Sequence, residues 1–296
     1  MRRLIESLLA QQVNFPFEII VISNPPSLYA VELLKQTGNV IHLQTEVLGV
    51  NNARNLGVKK ATGEILLFLD SDCELSEPNF LQRHSDLHIS YPELSCVGGI
   101  YSYSGDAARD LTYNYIQTRW LLQGQVGDYN RYLIGGNFSC KKEALLGDSF
   151  DPRIAYGGSE TEFFLRMLVK SNLKYKLFLD LEVLHNTDLG IIEFCKKAFK
   201  QGFGARYLRQ KLNQEAEASS AQKDLVRFEE LNYKKEMEFW LVLYDASYNQ
   251  GYHSKNGYHV LKVLGILVLT YFNFYRIKAS DFFGSLENLL RNLPRK

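Results

Sequence analysis

The sequence has almost no excess of charge of either sign. Its 34 Lys and Arg residues are balanced by 33 Asp and Glu residues, which gives a formal net charge of +1 over 296 residues. Proteins that bind nucleic acids usually have a strongly basic surface or a basic block of sequence. The charge balance therefore predicts that nucleic acid is not a partner of this chain.

Cysteines are few and lie far apart. The four of them form no C-x-x-C pair, which predicts neither a zinc site nor a disulfide framework. The first twelve residues have two arginines but no small-residue cleavage site, so they do not resemble a signal peptide. Both observations favour a reducing cytoplasmic location. The cysteines are Cys73, Cys96, Cys140 and Cys195.

Apolar runs long enough to span a membrane are also lacking. Val263–Tyr275 is strongly apolar, but it is bounded by Lys262 and Arg276 and is shorter than the roughly 20 residues that a spanning helix needs. Ile191–Leu212 mixes apolar and basic residues, as helices on an anionic membrane surface do. We therefore expect peripheral contact with the inner face of the cell membrane. The alternative is that both segments are helices packed on the rest of the protein.

Neither of the two common glycine-rich nucleotide motifs is present. The sequence contains no G-x-G-x-x-G segment between a strand and a helix, and no G-x-x-x-x-G-K-[ST] segment. These motifs hold dinucleotides and nucleoside triphosphates, respectively. Their absence argues against a dehydrogenase or a P-loop enzyme.

The first 70 residues alternate between strand and helix patterns. The strands are apolar along their length, which is typical of strands buried on both faces. This alternation predicts an α/β fold with a mostly parallel sheet flanked by helices, and ligands in such sheets bind at the carboxyl ends of strands. The predicted strands are Phe17–Ile22, Val40–Leu43 and Ile65–Leu69, and the predicted helices are Met1–Gln12, Val31–Lys35 and Asn51–Ala61.

The carboxyl-terminal part is predominantly helical. We predict a helix at Glu160–Lys170, a strand at Lys174–Phe178, a long helix at Ile191–Leu212 and a helix near Glu229–Tyr248. Asn213–Lys223 has almost no bulky apolar residue, which favours a loop or linker. The predicted organisation is an α/β domain over residues 1–212 and a helical appendage over residues 213–296.

Two carboxylates follow the apolar strand at Ile65–Leu69. Asp70 and Asp72 are separated by one residue, and hard oxygen ligands of this kind suit Mg²⁺ or Mn²⁺ held together with phosphate oxygens. A cation there would neutralise the charge that develops on a diphosphate leaving group. The alternative is that Asp70-Ser71-Asp72 only caps a turn.

The segment around these carboxylates resembles glycosyltransferase family 2. Ala53–Gly57 (ARNLG), the following ATGE and Leu69–Asp72 (LDSD) match the family pattern residue by residue. The resemblance implies a GT-A fold, a Mn²⁺ or Mg²⁺ cofactor, and inverting transfer of a sugar from a nucleoside diphosphate sugar. It also implies that Arg54 lies near the nucleotide, Asp70 near the ribose or the metal, and Asp72 on the metal.

A second block is similar to the family's acceptor-side segments. Gly135-Gly136-Asn137, Phe150-Asp151-Pro152 and Gly157–Glu162 correspond to G-G-N, F-D and G-G-E-D-x-D. The resemblance implies that Gly135, Gly136 and Asn137 shape the acceptor side.

Within the last of these segments, the resemblance puts the general base at Glu160. A sugar hydroxyl is a poor nucleophile, so a carboxylate must take its proton. Ser159 and Glu160 replace the usual Glu and Asp. Glu162 is expected either to accept hydrogen bonds from acceptor hydroxyls or to lie on a solvated helix face. The alternative for the whole segment is a helix start rich in acids that complement the helix dipole.

His185 follows the predicted strand at Lys174–Phe178 and matches a histidine that often binds the metal in this fold. Imidazole is acceptable to Mn²⁺ but is a less natural ligand for Mg²⁺. A lone histidine can equally be structural, with its ring nitrogens bonded to the backbone.

The family pattern is incomplete at the amino terminus. The pattern of glycosyltransferase family 2, which this chain resembles, begins with an apolar strand before the first helix, whereas this sequence begins within that helix. The neighbours of such a strand would be Ile19–Ile22 and Ile65–Leu69, so we expect a gap or an irregular pairing between them. Ser23-Asn24 stands where the family usually has acidic residues that read the base, and we place Asn24 in the nucleotide-sugar site. Either the true start lies upstream, or the chain is a degraded or repurposed relative.

The resemblance implies an inverting glycosyltransferase in polysaccharide, lipopolysaccharide or glycolipid assembly. The implied partners are a nucleoside diphosphate sugar as donor and a glycan or lipid-linked acceptor. The alternatives are a pseudo-glycosyltransferase that binds nucleotide or glycan, and a nucleotidyltransferase of similar fold.

Overall fold

A computed structural model describes residues 1–35, 37, 40–103, 108–145, 150–154, 159–171, 173–185, 190–215 and 235–253. The predictions for Gly157-Gly158, for most of the loop at 213–223 and for the apolar segment 260–275 lie outside these residues. Within them, the chain divides into two compact units, residues 1–188 and 189–296. The predicted domain boundary at residue 212 falls inside a helix, and that division stays a prediction.

The first unit contains six helices and nine strands among its described residues. The helices are α1 (Arg2–Leu9), α2 (Leu28–Lys35), α3 (Val50–Lys60), α4 (Phe80–Ser90), α5 (Ala108–Gln123) and α6 (Ser159–Ser171). The strands are β1 (Ile19–Ser23), β2 (Val40–Gln44), β3 (Ile65–Leu69), β4 (Cys73–Glu74), β5 (Cys96–Ser102), β6 (Gln125–Val126), β7 (Tyr129–Asn130), β8 (Asn137–Lys141) and β9 (Tyr175–His185). Every element predicted for residues 1–70 is present: β3 has the predicted bounds, and the ends of the others differ by up to three residues.

The strands form two sheets, and the larger one is mixed. β1 pairs with β2 in parallel, while the other sheet has the order β3-β8-β5-β9-β7-β6 with β4 also paired to β9. Within the larger sheet only β5 and β9 run parallel. The α/β class is confirmed, but the expectation of a mostly parallel sheet is wrong. Buried strands are continuously apolar whichever way they run, so the sequence pattern of β3 does not reveal that its neighbour β8 is antiparallel.

A gap separates β1 from β3, as the sequence predicts. In the described part of the chain β1 is hydrogen-bonded only to β2, and β3 only to β8. The two strands are joined at their starts through the Glu18 carboxylate, which accepts hydrogen bonds from the Thr62 amide at 2.6 Å, the Thr62 hydroxyl at 2.7 Å and the Gly63 amide at 3.2 Å. These bonds, above all the one from the Thr62 amide, lower the pKa of Glu18.

Asn137 connects three strands in the centre of the larger sheet. From the first position of β8, its Nδ2 donates to the carbonyls of Ile100 in β5 and Leu181 in β9, both at 2.9 Å. The register of β5 against β9 shifts at this point, between Gly98 and Ile100. A Cβ atom at Gly99 would overlap the Leu181 carbonyl and the Asn137 amide. Gly99 is therefore required for the side chain of Asn137 to enter the sheet.

Two buried histidines of α4 share one hydroxyl of β8. His84 Nδ1 lies 2.8 Å and His88 Nε2 2.9 Å from Ser139 Oγ. Burial, followed by the charge of the other histidine, lowers the pKa of His84 to about 3, and burial lowers that of His88 to about 4. Both rings are therefore neutral at physiological pH.

This pair predicts a loss of stability in mild acid. In the unfolded chain histidine has a pKa of about 6.5 and takes up a proton that the folded chain excludes, so the free energy of unfolding should fall as the pH drops below about 6.5. The slope should be about 1.4 kcal/mol per pH unit for each histidine. Urea unfolding between about pH 7 and pH 5 measures it, and His88→Gln should roughly halve the contribution of the pair. An unchanged slope in that variant would contradict this assignment.

The second unit contains two helices among its described residues, α7 (Ile191–Glu215) and α8 (Lys235–His253). Their backbones approach closely, because a Cβ atom at Gly202 would overlap the Tyr248 carbonyl, and one at Gly251 the Phe199 carbonyl. Phe194 is fully buried, with its ring 4.8 Å from that of Trp240. Both predicted helices are thus present and packed on each other.

This packing covers apolar side chains of α7 that the membrane hypothesis would use. Phe194 and Phe199 are buried, whereas Phe203 is 38% exposed. No helix in the described residues is both long enough and apolar enough to cross a membrane. Peripheral membrane contact stays a prediction.

Candidate active site

The loop that leaves β3 carries the two predicted carboxylates toward the end of β9. Asp70 and Asp72 follow Leu69 directly, and the chain then enters β4, whose Cys73 is the register partner of His185 in β9. Directly opposed residues of an antiparallel pair have their side chains on the same face. This pairing places the last residue of β9 beside the D-S-D loop.

Asp72, Cys73 and His185 form a cluster of metal-ligand type. One ligand atom from each lies within 4.8 Å of those of the other two. His185 Nε2 is 3.5 Å from Asp72 Oδ1, and the imidazole is only 4% exposed while the Asp72 side chain is 45% exposed. The cluster therefore has a buried side and an open side, from which a ligand can enter.

Two tyrosines pack around His185. The Tyr101 ring stacks on the imidazole at 4.4 Å, and the Tyr103 ring meets it edge to face at 5.6 Å. Burial, with the nearby Asp70 charge next in size, raises the pKa of Tyr101 well above its usual value, so its hydroxyl stays protonated. The hydroxyl donates to Asp70 Oδ2 at 2.7 Å.

Arg54 connects the D-S-D loop to the start of α6. From α3, its Nη2 lies 3.9 Å from Asp70 Oδ1 and donates to the Gly135 carbonyl at 3.0 Å. Its Nη1 lies 3.8 Å from Glu160 Oε2 and donates to Ser159 Oγ at 3.3 Å. The side chain of Arg54 is only 11% exposed, so water screens these charges weakly. One guanidinium thus holds the metal-side carboxylate and the predicted base in a single group.

Glu160 is fixed by its neighbour in the sequence. The Ser159 hydroxyl, which is buried, donates to Glu160 Oε2 at 2.7 Å. The Glu160 side chain is 25% exposed, so the hydroxyl group of an acceptor molecule can approach it from the solvent side. The residue at position 159 that departs from the family pattern therefore orients the predicted base.

Gly135 and Gly136 pack against the charged residues of the site. A Cβ atom at Gly135 would overlap the Arg54 guanidinium, and one at Gly136 would overlap both the Tyr101 hydroxyl and the Asp70 carboxylate. Both positions therefore require glycine for close approach. Their predicted role on the acceptor side stays a prediction, beside this packing role.

Gly136→Ala should displace Asp70, because the added methyl group would overlap the Asp70 carboxylate and the Tyr101 hydroxyl that holds it. We expect metal-dependent nucleotide binding to weaken by about tenfold or more, equivalent to about 1.4 kcal/mol. Calorimetry on the purified variant measures this change. Gly190→Ala is the matched control, since a Cβ atom there meets nothing within 4 Å. Unchanged nucleotide binding in Gly136→Ala would show that Asp70 does not depend on this contact.

The remaining predicted site residues, Asn24, Asn137 and Glu162, form hydrogen bonds or ion pairs within the protein. Asn24 connects the end of β1 to the loop before α3, because its Nδ2 donates to the Val47 carbonyl at 2.6 Å and its Oδ1 accepts from the Gly49 amide at 3.0 Å. Asn137 is fully buried in the sheet. Glu162 is also fully buried, with Oε1 2.7 Å from Arg166 Nε, so it does not lie on a solvated helix face. For Asn24, Asn137 and Glu162, contact with substrate stays a prediction.

Several structural partners of the site escaped the sequence reasoning. Asn55, which lies inside the ARNLG motif, exchanges two hydrogen bonds of 2.9 Å with the backbone of Phe150. Asn51 donates to the Asp151 carbonyl at 2.7 Å. The segment that contains ARNLG therefore holds the F-D segment in place. The presence of both motifs in one sequence was the signal that could have indicated this contact. Tyr101 had no such signal, because only the pairing of β5 with β9 brings it to the site. Cys73 follows Asp72 in the sequence, but its position opposite His185 depends on the pairing of β4 with β9.

The residues present fit a divalent cation. An exposed carboxylate and a buried imidazole lie 3.5 Å apart, an oxygen and nitrogen donor set that Mn²⁺ accepts. Asp70 is outside the three-residue cluster, since its oxygens face Tyr101 and Arg54. Asp72 and His185 would hold the metal directly, and Asp70 is the nearest further carboxylate along the loop.

Comparison with known proteins relates about half of the chain to one family. Residues 1–146 match the family model described as "Glycosyl transferase family 2". The chain is 24% identical over 181 residues to "Minor teichoic acid biosynthesis protein GgaB" of Bacillus subtilis, and the match covers 58% of this chain and 20% of that protein. The chain thus spans a fifth of the length of this relative.

The fold is also found among solved structures. The mannosyltransferase PcManGT from Pyrobaculum calidifontis, solved in complex with GDP-Man and Mn²⁺, is similar with a TM-score of 0.54 at 14% identity. That match covers 96% of this chain and 74% of the mannosyltransferase. At this identity the likeness shows the fold alone, which is that of GT-A glycosyltransferases. Residues 1–146, about half of the chain, are therefore similar to glycosyltransferase family 2.

Proposed function

We propose that this chain transfers a glycosyl group from a nucleoside diphosphate sugar to an acceptor hydroxyl, with inversion of the anomeric centre. The observation that carries the proposal is the position of Arg54, within 3.9 Å of Asp70 and 3.8 Å of Glu160. This contact joins a group able to organise a metal and a diphosphate to a carboxylate able to act as a base. Both halves of a sugar-transfer reaction are present in one site.

The donor half consists of Asp72 and His185, with Asp70 beside them. A divalent cation bound here would stabilise the negative charge of the departing diphosphate. Arg54 adds a buried positive charge on the same side. A positively charged side chain that faces a diphosphate also stabilises the negative charge that develops on it. The Tyr101 hydroxyl bonds to Asp70 Oδ2, and Gly136 packs against the same side of the carboxylate, so both contacts restrict the orientation of Asp70.

The acceptor half is Glu160. Its carboxylate takes the proton of the acceptor hydroxyl while the hydroxyl oxygen attacks the anomeric carbon. Attack from the face opposite the leaving diphosphate gives inversion in a single displacement. The hydrogen bond from Ser159 fixes the carboxylate before the acceptor arrives, which reduces the reorganisation that the reaction requires.

The proposals for donor, metal and acceptor rest on similar proteins together with the geometry of this site. A similar structure contains GDP-Man and Mn²⁺, which supports a nucleoside diphosphate sugar and Mn²⁺ or Mg²⁺. The relative in minor teichoic acid biosynthesis supports a glycan or lipid-linked acceptor in the assembly of a cell-surface polymer. An acceptor of that kind would bring the protein to the inner face of the cell membrane.

A second candidate is a nucleotide-binding protein without transferase activity. Two departures from the family pattern favour it: β1 and β3, both within the described residues, are not paired with each other, and Ser23-Asn24, at the end of β1, replaces the usual acidic residues. The two candidates differ in turnover and not in nucleotide binding.

Calorimetric titration with UDP, GDP, dTDP and CMP, with and without Mn²⁺, tests the donor half. We expect one nucleotide to bind only when Mn²⁺ is present, and that nucleotide would identify the donor class. Folded protein that binds none of the four with Mn²⁺ would contradict the proposal.

A further inference from the structure

Cys73 is a component of the metal-type cluster that the proposed reaction does not use. Its side chain is 1% exposed, and its Sγ lies within 4.8 Å of the ligand atoms of both Asp72 and His185. The position follows from the pairing of β4 with β9, in which Cys73 and His185 are direct partners. Two strands therefore fix the sulfur and the imidazole relative to each other, and Asp72 completes the group from the adjoining loop.

A sulfur, a nitrogen and an oxygen donor together suit a different cation from the one that glycosyl transfer uses. Mg²⁺ takes oxygen ligands almost exclusively, and Mn²⁺ prefers oxygen and nitrogen. Zn²⁺ binds thiolate, imidazole and carboxylate ligands, and zinc sites with three protein ligands keep a fourth position open for water or substrate. For a given set of ligands the affinity for Zn²⁺ also exceeds that for Mn²⁺.

The surroundings of the cluster support a fixed site. The Tyr101 and Tyr103 rings pack on the imidazole and hold its orientation. Cys73 Sγ is also 3.9 Å from the Gly136 carbonyl, so the sulfur is held against the glycine segment that contacts Asp70. The open side is at Asp72, which is the route by which a cation would enter.

We propose that Cys73, Asp72 and His185 bind Zn²⁺ through sulfur, oxygen and nitrogen, at a position that overlaps the site of the catalytic cation. The overlap rests on the proposed function, since Asp72 and His185 serve both cations, whereas the sulfur ligation rests on the geometry alone. Zn²⁺ then competes with Mn²⁺ and acts as an inhibitor of the site. The thiol proton is released to solvent when the sulfur binds the metal.

Co²⁺ is the probe for this site, because it substitutes for Zn²⁺ and gives a charge-transfer band in the near ultraviolet only when a thiolate is bound to it. The full chain is titrated with Co²⁺ in a reductant that does not bind metals. We expect the band to saturate at one Co²⁺ per chain, to disappear on addition of Zn²⁺, and to be absent in Cys73→Ser. Cys195→Ser is the matched control, since Cys195 is a buried cysteine of α7 outside the cluster, and it should keep the band.

Co²⁺ binding without the band in the unsubstituted chain would overturn the proposal, as would a band that persists in folded Cys73→Ser. If Cys73→Ser fails to fold, X-ray absorption at the cobalt edge is measured on the unsubstituted chain. The proposal requires a sulfur atom in the first coordination shell of the bound Co²⁺, and its absence would overturn the proposal. The nucleotide titration with Mn²⁺ is independent of these results. A thiolate band without Mn²⁺-dependent nucleotide binding would support the Zn²⁺ site and contradict the proposed transferase. Mn²⁺-dependent nucleotide binding without a thiolate band would support the transferase and contradict the Zn²⁺ site.

Discussion

Glu160→Gln should reduce glycosyl transfer by about a hundredfold to ten-thousandfold, the range that a positioned general base contributes. The amide cannot accept the proton of the acceptor hydroxyl, but it is nearly the same size and still accepts a hydrogen bond from the Ser159 hydroxyl, 2.7 Å away in the native site. Metal-dependent binding of the nucleotide should therefore be almost unchanged. Steady-state rates of product formation, together with calorimetry on the same sample, measure the two effects separately.

Glu93→Gln is the matched control for this variant, because Glu93 is an exposed glutamate in the turn between α4 and β5. Its rate of transfer should equal that of the unsubstituted protein. Normal transfer in Glu160→Gln would show that another group takes the proton. A parallel loss of nucleotide binding would show instead that Glu160 acts through Arg54, whose Nη1 lies 3.8 Å from it.

Asp72→Asn should abolish the dependence of nucleotide binding on Mn²⁺. The substitution removes the negative charge of the carboxylate that lies 3.5 Å from His185, and a neutral amide is a much weaker ligand for a hard cation. Nucleotide affinity with Mn²⁺ present should fall to the value measured without it, and transfer should fall with it. Direct titration of Mn²⁺ into the protein, followed by electron paramagnetic resonance of the free ion, reports the loss of the metal itself.

Asp128→Asn provides the control for the loss of one negative charge, because Asp128 is exposed in the turn between β6 and β7. Its Mn²⁺ and nucleotide affinities should be those of the unsubstituted chain. Retention of Mn²⁺-dependent binding in Asp72→Asn would show that Asp72 is not a ligand and would move the site toward Asp70.

The elements nearest the amino terminus were predictable because each has a strong local signal. The run at Ile65–Leu69 is apolar throughout and ends in two aspartates, and β3 has those same bounds. The strand direction was not predictable, because β8 enters between β3 and β5 in the antiparallel sense through pairing that no local pattern encodes. The cross-strand pair Cys96 and Cys140 shows the same limit, since their sulfur atoms lie 2.6 Å apart although the residues are 44 positions apart in sequence.

The candidate site was predictable at the level of motifs but not of contacts. The resemblance selected Arg54, Asp70, Asp72, Glu160 and His185, and the fold brings these residues together in one unit. It did not reveal that Arg54 joins Asp70 to the start of α6, because Ser159 is 105 positions away and only folding makes them neighbours. Asn137 and Glu162 illustrate the opposite case, in which a motif residue is fully buried and bonded within the protein.

The most direct test of the proposed reaction is to identify what is released from a nucleoside diphosphate sugar. The purified chain is incubated with Mn²⁺, a panel of such donors and a crude glycan or lipid-linked acceptor fraction, and the nucleotide products are separated by chromatography. We expect one donor to yield its free nucleoside diphosphate with the unsubstituted chain but not with Glu160→Gln. Release of pyrophosphate would identify a nucleotidyltransferase, and tight nucleotide binding without any release would identify a binding protein; either result would contradict the proposed glycosyl transfer.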